Sequence, residues 1–209
     1  MEPLRIRVAL FTAAPFSVKS FLVKKITENK ENRLPVLDYD SEVFSRCFKI
    51  LNCPELITKI KLQNAWGHLR KKFDFDRLFR LHHRDWYARV GMPPAFVAVG
   101  WIYCFQEWRE QVRNGFRQLA ERQFDFHLFV LRLSFEDFFL RYKCGVRDRC
   151  GTSHQFCQLH EDEQRKWADN EYQDFLENDL HIPEANEMDC MQLENNEDLL
   201  KHIKIFCQG

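Results

Sequence analysis

The sequence has little glycine and proline and no long apolar run. Its 209 residues include only 7 glycines and 7 prolines, a composition that excludes a collagen-like chain and argues against disorder throughout. The longest apolar stretch, from Ala95 to Phe105, is much shorter than the roughly twenty residues that a membrane-spanning helix needs. We therefore expect a buried helix here and no membrane partner.

Recognised catalytic motifs are also missing. We identify no glycine-rich phosphate loop, no lysine of the Walker type and no metalloprotease helix. His82 and His83 stand beside Trp86 and Tyr87, which is more typical of a surface turn than of an acid–base pair. These absences favour a protein that is not an enzyme and that takes no small-molecule substrate.

The net charge is zero, but the charges are unevenly distributed. Residues 1–160 contain 27 Lys and Arg against 17 Asp and Glu, whereas residues 161–200 contain 2 against 14. A basic body can lie near nucleic acid, because Lys and Arg displace counterions from phosphate. An acidic tail can shield that body or hold a basic partner. Ordinary solvated charge is the alternative explanation.

Five cysteines and histidines gather in one short stretch, CGVRDRCGTSHQFCQLH, from 144 to 160. Four of them could form a zinc clip, since several pairs have the spacing of zinc ligands. The alternative, which we favour, is a polar linker with no cofactor. A cysteine nucleophile with a histidine base has less support, because no known local signature surrounds these thiols. The five residues are Cys144, Cys150, His154, Cys157 and His160.

Apolar residues recur mostly at helical spacing, and 20 phenylalanines supply much of the apolar content. The pattern predicts helices over 18–26, 43–51, 56–73 and 108–122, a short apolar helix capped by Asp125, a further helix starting at Ser134, and a last amphipathic helix near 199–206. Ser134 and Asp137 have the spacing of a capping box. The predicted fold class is therefore mainly α: a multi-helix globular body with an acidic, partly helical C-terminal tail.

The helix after Gln106 carries two stripes. Four arginines, at helical spacing, form a solvent-facing stripe and are candidates for contact with DNA phosphate: Arg109, Arg113, Arg117 and Arg122. The apolar stripe and the aromatic clusters after it are candidates for packing or for partner binding. These are Trp108, Val112, Phe116, Leu119, Phe124, Asp125, Leu131, Leu133, Phe135, Phe138 and Phe139.

The run WREQVRNGFRQLAERQFDFHLFVLRLSFEDFF, from Trp108 to Phe139, resembles the first-subunit family of the small nuclear RNA-activating protein complex. The shared features are a helix that begins at a tryptophan, the Phe124–Asp125 pair, the Leu131-Arg132-Leu133 element and an aromatic cluster after it. The resemblance spans about residues 88–142. It implies a helical scaffold subunit of a nuclear promoter-binding complex for small RNA genes, whose partners include a Myb-type DNA-binding subunit, other subunits and promoter DNA.

The sequence thus leads to one main hypothesis and two alternatives. The main one is a non-enzymatic, nuclear transcription scaffold. It has a helical scaffold domain over 1–143, a Cys/His-rich linker or clip over 144–160 and an acidic tail with a terminal amphipathic helix over 161–209. The second is a small helical adaptor unrelated to DNA, and the third is a zinc- or cysteine-dependent enzyme.

Overall fold

A computed structural model describes residues 5–14, 19–28, 34–38, 84–91, 93–119 and 123–209. In this part of the chain five strands form one sheet: β1 (Arg5–Ala13), β2 (Val36–Asp38), β3 (Ala95–Val99), β4 (Gln123–Leu131) and β5 (Asp189–Leu193). The order is β2-β3-β1-β4-β5, and all four neighbouring pairs are parallel. The protein is therefore an α/β protein, and the prediction of a mainly α fold is wrong.

Helices connect these strands. They are α1 (Lys19–Glu28), α2 (Gln106–Leu119), α3 (Phe135–Cys150), α4 (Gln155–Gln158), α5 (Glu161–Asp174) and α6 (Asn196–Gln208), together with a helical stretch at 84–90. A 3-10 turn (Trp101–Cys104) follows β3, and a π-helical turn (Phe175–Asp179) follows α5. None of the helices in the described ranges is long and apolar enough to cross a bilayer.

Two predicted helices are strands in the structure. The stretch 95–105 forms β3 and the 3-10 turn, and the stretch after Phe124 forms β4. All five residues of β3 are buried, as are four of the last five of β4. A parallel strand covered on both faces is apolar at almost every position. Its sequence therefore lacks the alternation that distinguishes a strand from a buried helix.

Other helix predictions are confirmed. Leu22 and Ile26 are buried on α1, and α2 occupies the predicted amphipathic segment. Ser134 caps α3, since its Oγ accepts a hydrogen bond from the backbone N–H of Asp137 at 3.2 Å. The last amphipathic helix is α6. The helices predicted over 43–51 and 56–73 lie outside the described residues.

The strand register separates the two faces of the sheet. On one face Phe96 and Phe126 both lie level with Val8, and their rings contact Phe116 of α2 at centroid distances of 5.2 and 6.2 Å. The opposite face carries His127 and Phe129, which contact α6. The acidic segment 161–209 thus contributes the edge strand β5 and the helix α6, which packs on the sheet that has β1 at its centre.

Candidate functional site

The carboxyl ends of β1 and β4 lie where the strand order of the described sheet changes direction. The two strands are neighbours, and Ala13 lies level with Leu131 at their ends. After β1 the chain goes to β2 on one side of the sheet, and after β4 it goes to β5 on the other. In open parallel sheets, ligands bind where the connections separate in this way. We name this place the β1–β4 edge.

A lysine lies at this edge. Lys19 is the first residue of α1, and its half-buried Nζ donates a hydrogen bond to the main-chain oxygen of Ala13 at 3.3 Å. The ammonium group therefore lies back over the end of the central strand. The amino end of a helix that follows a strand also favours anions, because its N–H groups are unpaired and its dipole is positive there.

The local sequence explains why this lysine was missed. From 13 to 20 it reads AAPFSVKS, so Lys19 and Ser20 follow the strand at the spacing of a phosphate-binding loop, GxxxxGK[ST]. Ala13 and Val18 stand where that motif has glycines. A search for glycines fails here, and the usable signal was a Lys-Ser pair that opens a helix after an apolar strand. Residues 15–18 lie outside the described ranges.

A second cation stands on the other side of the edge. Arg132 directly follows β4 and is exposed; its backbone N–H donates to the main-chain oxygen of Leu193 at 2.7 Å. Its Nη1 donates to Oε1 of Gln192 at 2.8 Å, so β5 holds the arginine in place. Ser134, two residues further on, begins α3. Lys19 and Arg132 thus flank one rung of the sheet, and each lies near a helix amino end.

A hydrogen bond joins the β1–β4 edge to the turn after β3. The buried hydroxyl of Thr12 donates to the main-chain oxygen of Trp101 at 3.3 Å. The strand β3 is followed by Gly100 and Trp101, without a carboxylate, whereas β2 ends at Asp38. Over the described ranges, no group of three His, Cys, Asp or Glu side chains could hold a metal ion.

The structure buries the side chain of Arg109. Its guanidinium is fully buried and makes a bidentate pair with Glu187, at 2.8 and 3.1 Å. Nη1 donates to the main-chain oxygens of Tyr103, Cys104 and His181, at 3.1, 3.1 and 2.8 Å. We name this group the Arg109 clamp. It ties α2 and the 3-10 turn to segment 181–187, so this side chain is not available to DNA phosphate.

The other three arginines of that stripe differ from one another. Arg113 is half-buried over the ring of Phe126, at 6.0 Å, and burial together with nearby Arg117 lowers the pKa of its guanidinium. Arg117 is exposed and, with Arg5 and Phe124, lines a shallow cleft of about 320 Å³ at the amino ends of β1 and β4. Arg122 lies outside the described residues. The stripe is therefore not one solvent-facing surface.

Most of the apolar candidates are core residues. Those that are buried are Trp108, Val112, Phe116, Leu131, Leu133, Phe138 and Phe139. Phe124 and Phe135 are half-buried and pack against the core, and Asp125 is exposed on β4. Nothing is described of the side chain of Leu119. The buried positions pack the sheet and helices of this chain, which leaves them no surface to offer a partner.

The five cysteine and histidine residues of 144–160 do not converge on one point. Cys144 and Cys150 lie on α3, and Cys157 lies on α4. His154 caps α4, because its Nδ1 accepts from the backbone N–H of Phe156 at 3.3 Å, and His160 caps α5. All of these residues are among those described, and they form no metal-binding group. Two of the five therefore begin helices, and the structure gives no support to the zinc clip.

The chain is similar, at low identity, to several solved structures, of which two are described here. No protein family and no curated protein matches the sequence. Among solved structures, the chain is similar to a gluconokinase from Sinorhizobium meliloti 1021, with 10% identity, a TM-score of 0.47, and 99% of this chain and 94% of that chain covered. It is also similar to deoxyadenosine kinase from M. mycoides with bound dATP, with 10% identity, a TM-score of 0.40, and 98% and 100% covered.

The resemblance to the small nuclear RNA-activating complex is wrong. It requires a helix after Phe124 and Asp125, whereas these residues lie at the start of strand β4 of a parallel sheet. The predicted scaffold function and the promoter-complex partners depended on that arrangement and are corrected with it. The predictions of a protein that is not an enzyme and takes no small-molecule substrate came from the missing glycine-based phosphate motif. They are corrected because Lys19 and Ser20 follow β1 at the spacing of that motif. The nuclear location stays a prediction.

Proposed function

We propose that this chain binds a nucleoside triphosphate at the β1–β4 edge and transfers its terminal phosphoryl group to a small acceptor. The observation that carries the proposal is the position of Lys19, whose Nζ lies within hydrogen-bond distance of the last residue of the central parallel strand. The strand order supports it, because ligands of open parallel sheets bind where the connections leave in opposite directions.

The residues of the edge fit the electrostatic needs of phosphate binding. Phosphate oxygens would replace the carbonyl of Ala13 as the acceptor for Lys19, so that both the donor and the acceptor of the hydrogen bond would be charged. Arg132 supplies a second positive charge on the opposite side of the same rung. Phosphoryl transfer depends mainly on positioning and charge stabilisation, which are the two things that these cations provide.

The test is a binding measurement on a matched pair of lysine variants. Lys19→Met removes the ammonium group from the edge. Lys24→Met removes one from the same helix, where Lys24 is exposed and pairs only weakly with Glu28 at 3.8 Å. With a fluorescent ATP analogue and Mg²⁺, we expect Lys19→Met to weaken binding about ten- to a hundredfold, as for a lost hydrogen bond to a charged group. We expect Lys24→Met to bind like the wild type.

Transfer is measured separately from binding. Formation of ADP in the presence of candidate hydroxyl-bearing acceptors should depend on Lys19 and should weaken in Arg132→Ala. Equal binding by the two lysine variants would refute the position of the site. Tight, Lys19-dependent binding with no ADP formed over a broad set of acceptors would leave a nucleotide-binding protein and refute the transfer step.

A further inference from the structure

A histidine ring lies under the last helix, on the face of the sheet away from α2. His127 is on β4, level with Ala9 of β1 and Asp189 of β5. Its ring centroid is 4.5 Å from that of Phe129 and 5.3 Å from that of Phe206 on α6. The imidazole is therefore held between an aromatic side chain of the sheet and one of the helix that covers it.

The environment of this ring favours its neutral form. Its Nε2 atom is buried and has no hydrogen-bond partner among the described residues. A protonated imidazole would carry a charged N–H donor at that atom, and an unpaired buried charge is costly. In agreement with this geometry, burial lowers the pKa of His127 below its ordinary value of 6.5.

Charged groups face the ring from each neighbouring strand and from the helix. Asp189 on β5 and Asp125 on β4 oppose the effect of burial, because their carboxylates attract a proton to the ring, whereas His202 on α6 adds to it. On β1, Arg7 is level with Asp125 and thus on the same face, and its guanidinium lies against Gly209. Burial remains the largest of these influences on the pKa of His127.

The helix above depends on a small set of apolar contacts. Its buried side chains are Leu199, Ile203 and Cys207, and it packs on β1, β3, β4 and β5 and on α1. Ile205, on its outer side, is exposed. An isolated helix of thirteen residues is only marginally stable in water, so α6 depends on this docked position for its stability. A change at the centre of its contact with the sheet therefore acts on the whole helix.

We propose that His127 is a proton-sensitive latch for the C-terminal helix: α6 is docked while the ring is neutral, and protonation of the ring in mildly acidic conditions releases it. Release exposes apolar surface of the sheet, including Phe129, together with the inner side of α6. This inference does not depend on nucleotide binding, since it concerns the contact between α6 and the middle of β4 and not the residues that follow the strand.

The direction of the pH dependence follows from the lowered pKa. With α6 docked, His127 binds a proton less readily than with α6 released, where its pKa returns toward 6.5. The stabilisation of the docked form is therefore complete above about pH 6.5. It decreases as pH falls below that value, until the ring protonates even in the docked form. In this window the equilibrium constant for release rises up to about tenfold per pH unit.

The test is hydrogen exchange of α6 as a function of pH in the full chain. In each sample the opening constant of residues 196–208 is divided by the opening constant of α5. This ratio cancels the intrinsic pH dependence of exchange. Between about pH 7.5 and 5.5 we expect this ratio to rise about tenfold or less in the wild type, following the linkage slope. In His127→Phe, which keeps an aromatic ring between Phe129 and Phe206, we expect it to stay constant within about twofold.

Two further variants decide the remaining cases. His127→Leu replaces His127→Phe if the larger ring prevents folding. His154→Asn is the matched control, since it alters a histidine that caps α4 and not one that contacts Phe206 of α6. The proposal is overturned if the wild-type ratio is constant over this range. It is also overturned if His127→Phe retains the wild-type slope, and a flat profile in His202→Gln would then assign the effect to His202.

Discussion

Two cationic side chains that follow neighbouring strands are used in opposite ways. Arg109, after β3, is fully buried, and its guanidinium donates to one carboxylate and three carbonyls. Lys19, after β1, is half-buried, and its Nζ donates to the main-chain oxygen of Ala13. The guanidinium of Arg109 is thus enclosed by protein acceptors, whereas Lys19 keeps part of its surface accessible to solvent. The two residues differ in burial, which the pattern of charges in the sequence does not show.

The largest effect on the free energy of unfolding is expected for the replacement of Arg109. Arg109→Met leaves the carboxylate of Glu187 buried without a partner, which should lower the free energy of unfolding by about 3 to 5 kcal/mol. Urea denaturation followed by tryptophan fluorescence measures the loss. The exposed Arg117→Met is the control and should change stability by less than about 0.5 kcal/mol. A double replacement by Arg109→Met and Glu187→Met should lose less than Arg109→Met alone; a larger loss would contradict the role given to the unpaired carboxylate.

An intermediate effect is expected at the start of α3, beside Arg132. Ser134→Ala removes the side chain that accepts from the N–H of Asp137, and the loss of such a cap costs about 1 kcal/mol. Thermal unfolding should show a lower Tm for Ser134→Ala and no change for Ser153→Ala, an exposed serine in the turn after α3. Equal Tm values for the two variants would mean that α3 does not depend on this cap.

The smallest effect should come from Lys19→Met. Because Lys19 is only half-buried, its replacement should change the free energy of unfolding by less than about 1 kcal/mol, which is near the net contribution of a typical hydrogen bond. The urea experiment used for Arg109 measures it, with Lys24→Met as the reference. If Lys19→Met binds nucleotide poorly yet is nearly as stable as the wild type, Lys19 and Arg109 have different roles. If Lys19→Met lowers the free energy of unfolding as much as Arg109→Met does, the two residues have the same structural role.

The sequence was informative about the surface helices and misleading about the strands. In α2 one side faces the core, so the helical period is visible in the spacing of Trp108, Val112 and Phe116. In β3 and the second half of β4 both faces are covered, and the period of two disappears into a continuous apolar run. Length was the remaining signal, because the five residues of β3 and the nine residues of β4 suit strands better than helices.

The candidate site was harder to predict than the fold, for two physical reasons. The partner of Arg109 lies 78 residues away at Glu187, so nothing in the local helix pattern separates it from Arg117, which has the same spacing on the same helix but is exposed. Lys19 was overlooked because Ala13 and Val18 replace the glycines by which such a loop is usually found. In both cases the missing information was which distant segments of the chain lie close together in the fold.

The central position of β1 has a consequence for the order in which the protein forms during synthesis. The first of the described strands pairs with β3, about ninety residues later in the chain, and with β4, nearly 120 residues later. Until those strands emerge, the apolar residues of β1 have no partners in the sheet, and long-range parallel pairing is slow. The nascent chain is therefore a candidate client for chaperones that hold an exposed strand near the ribosome.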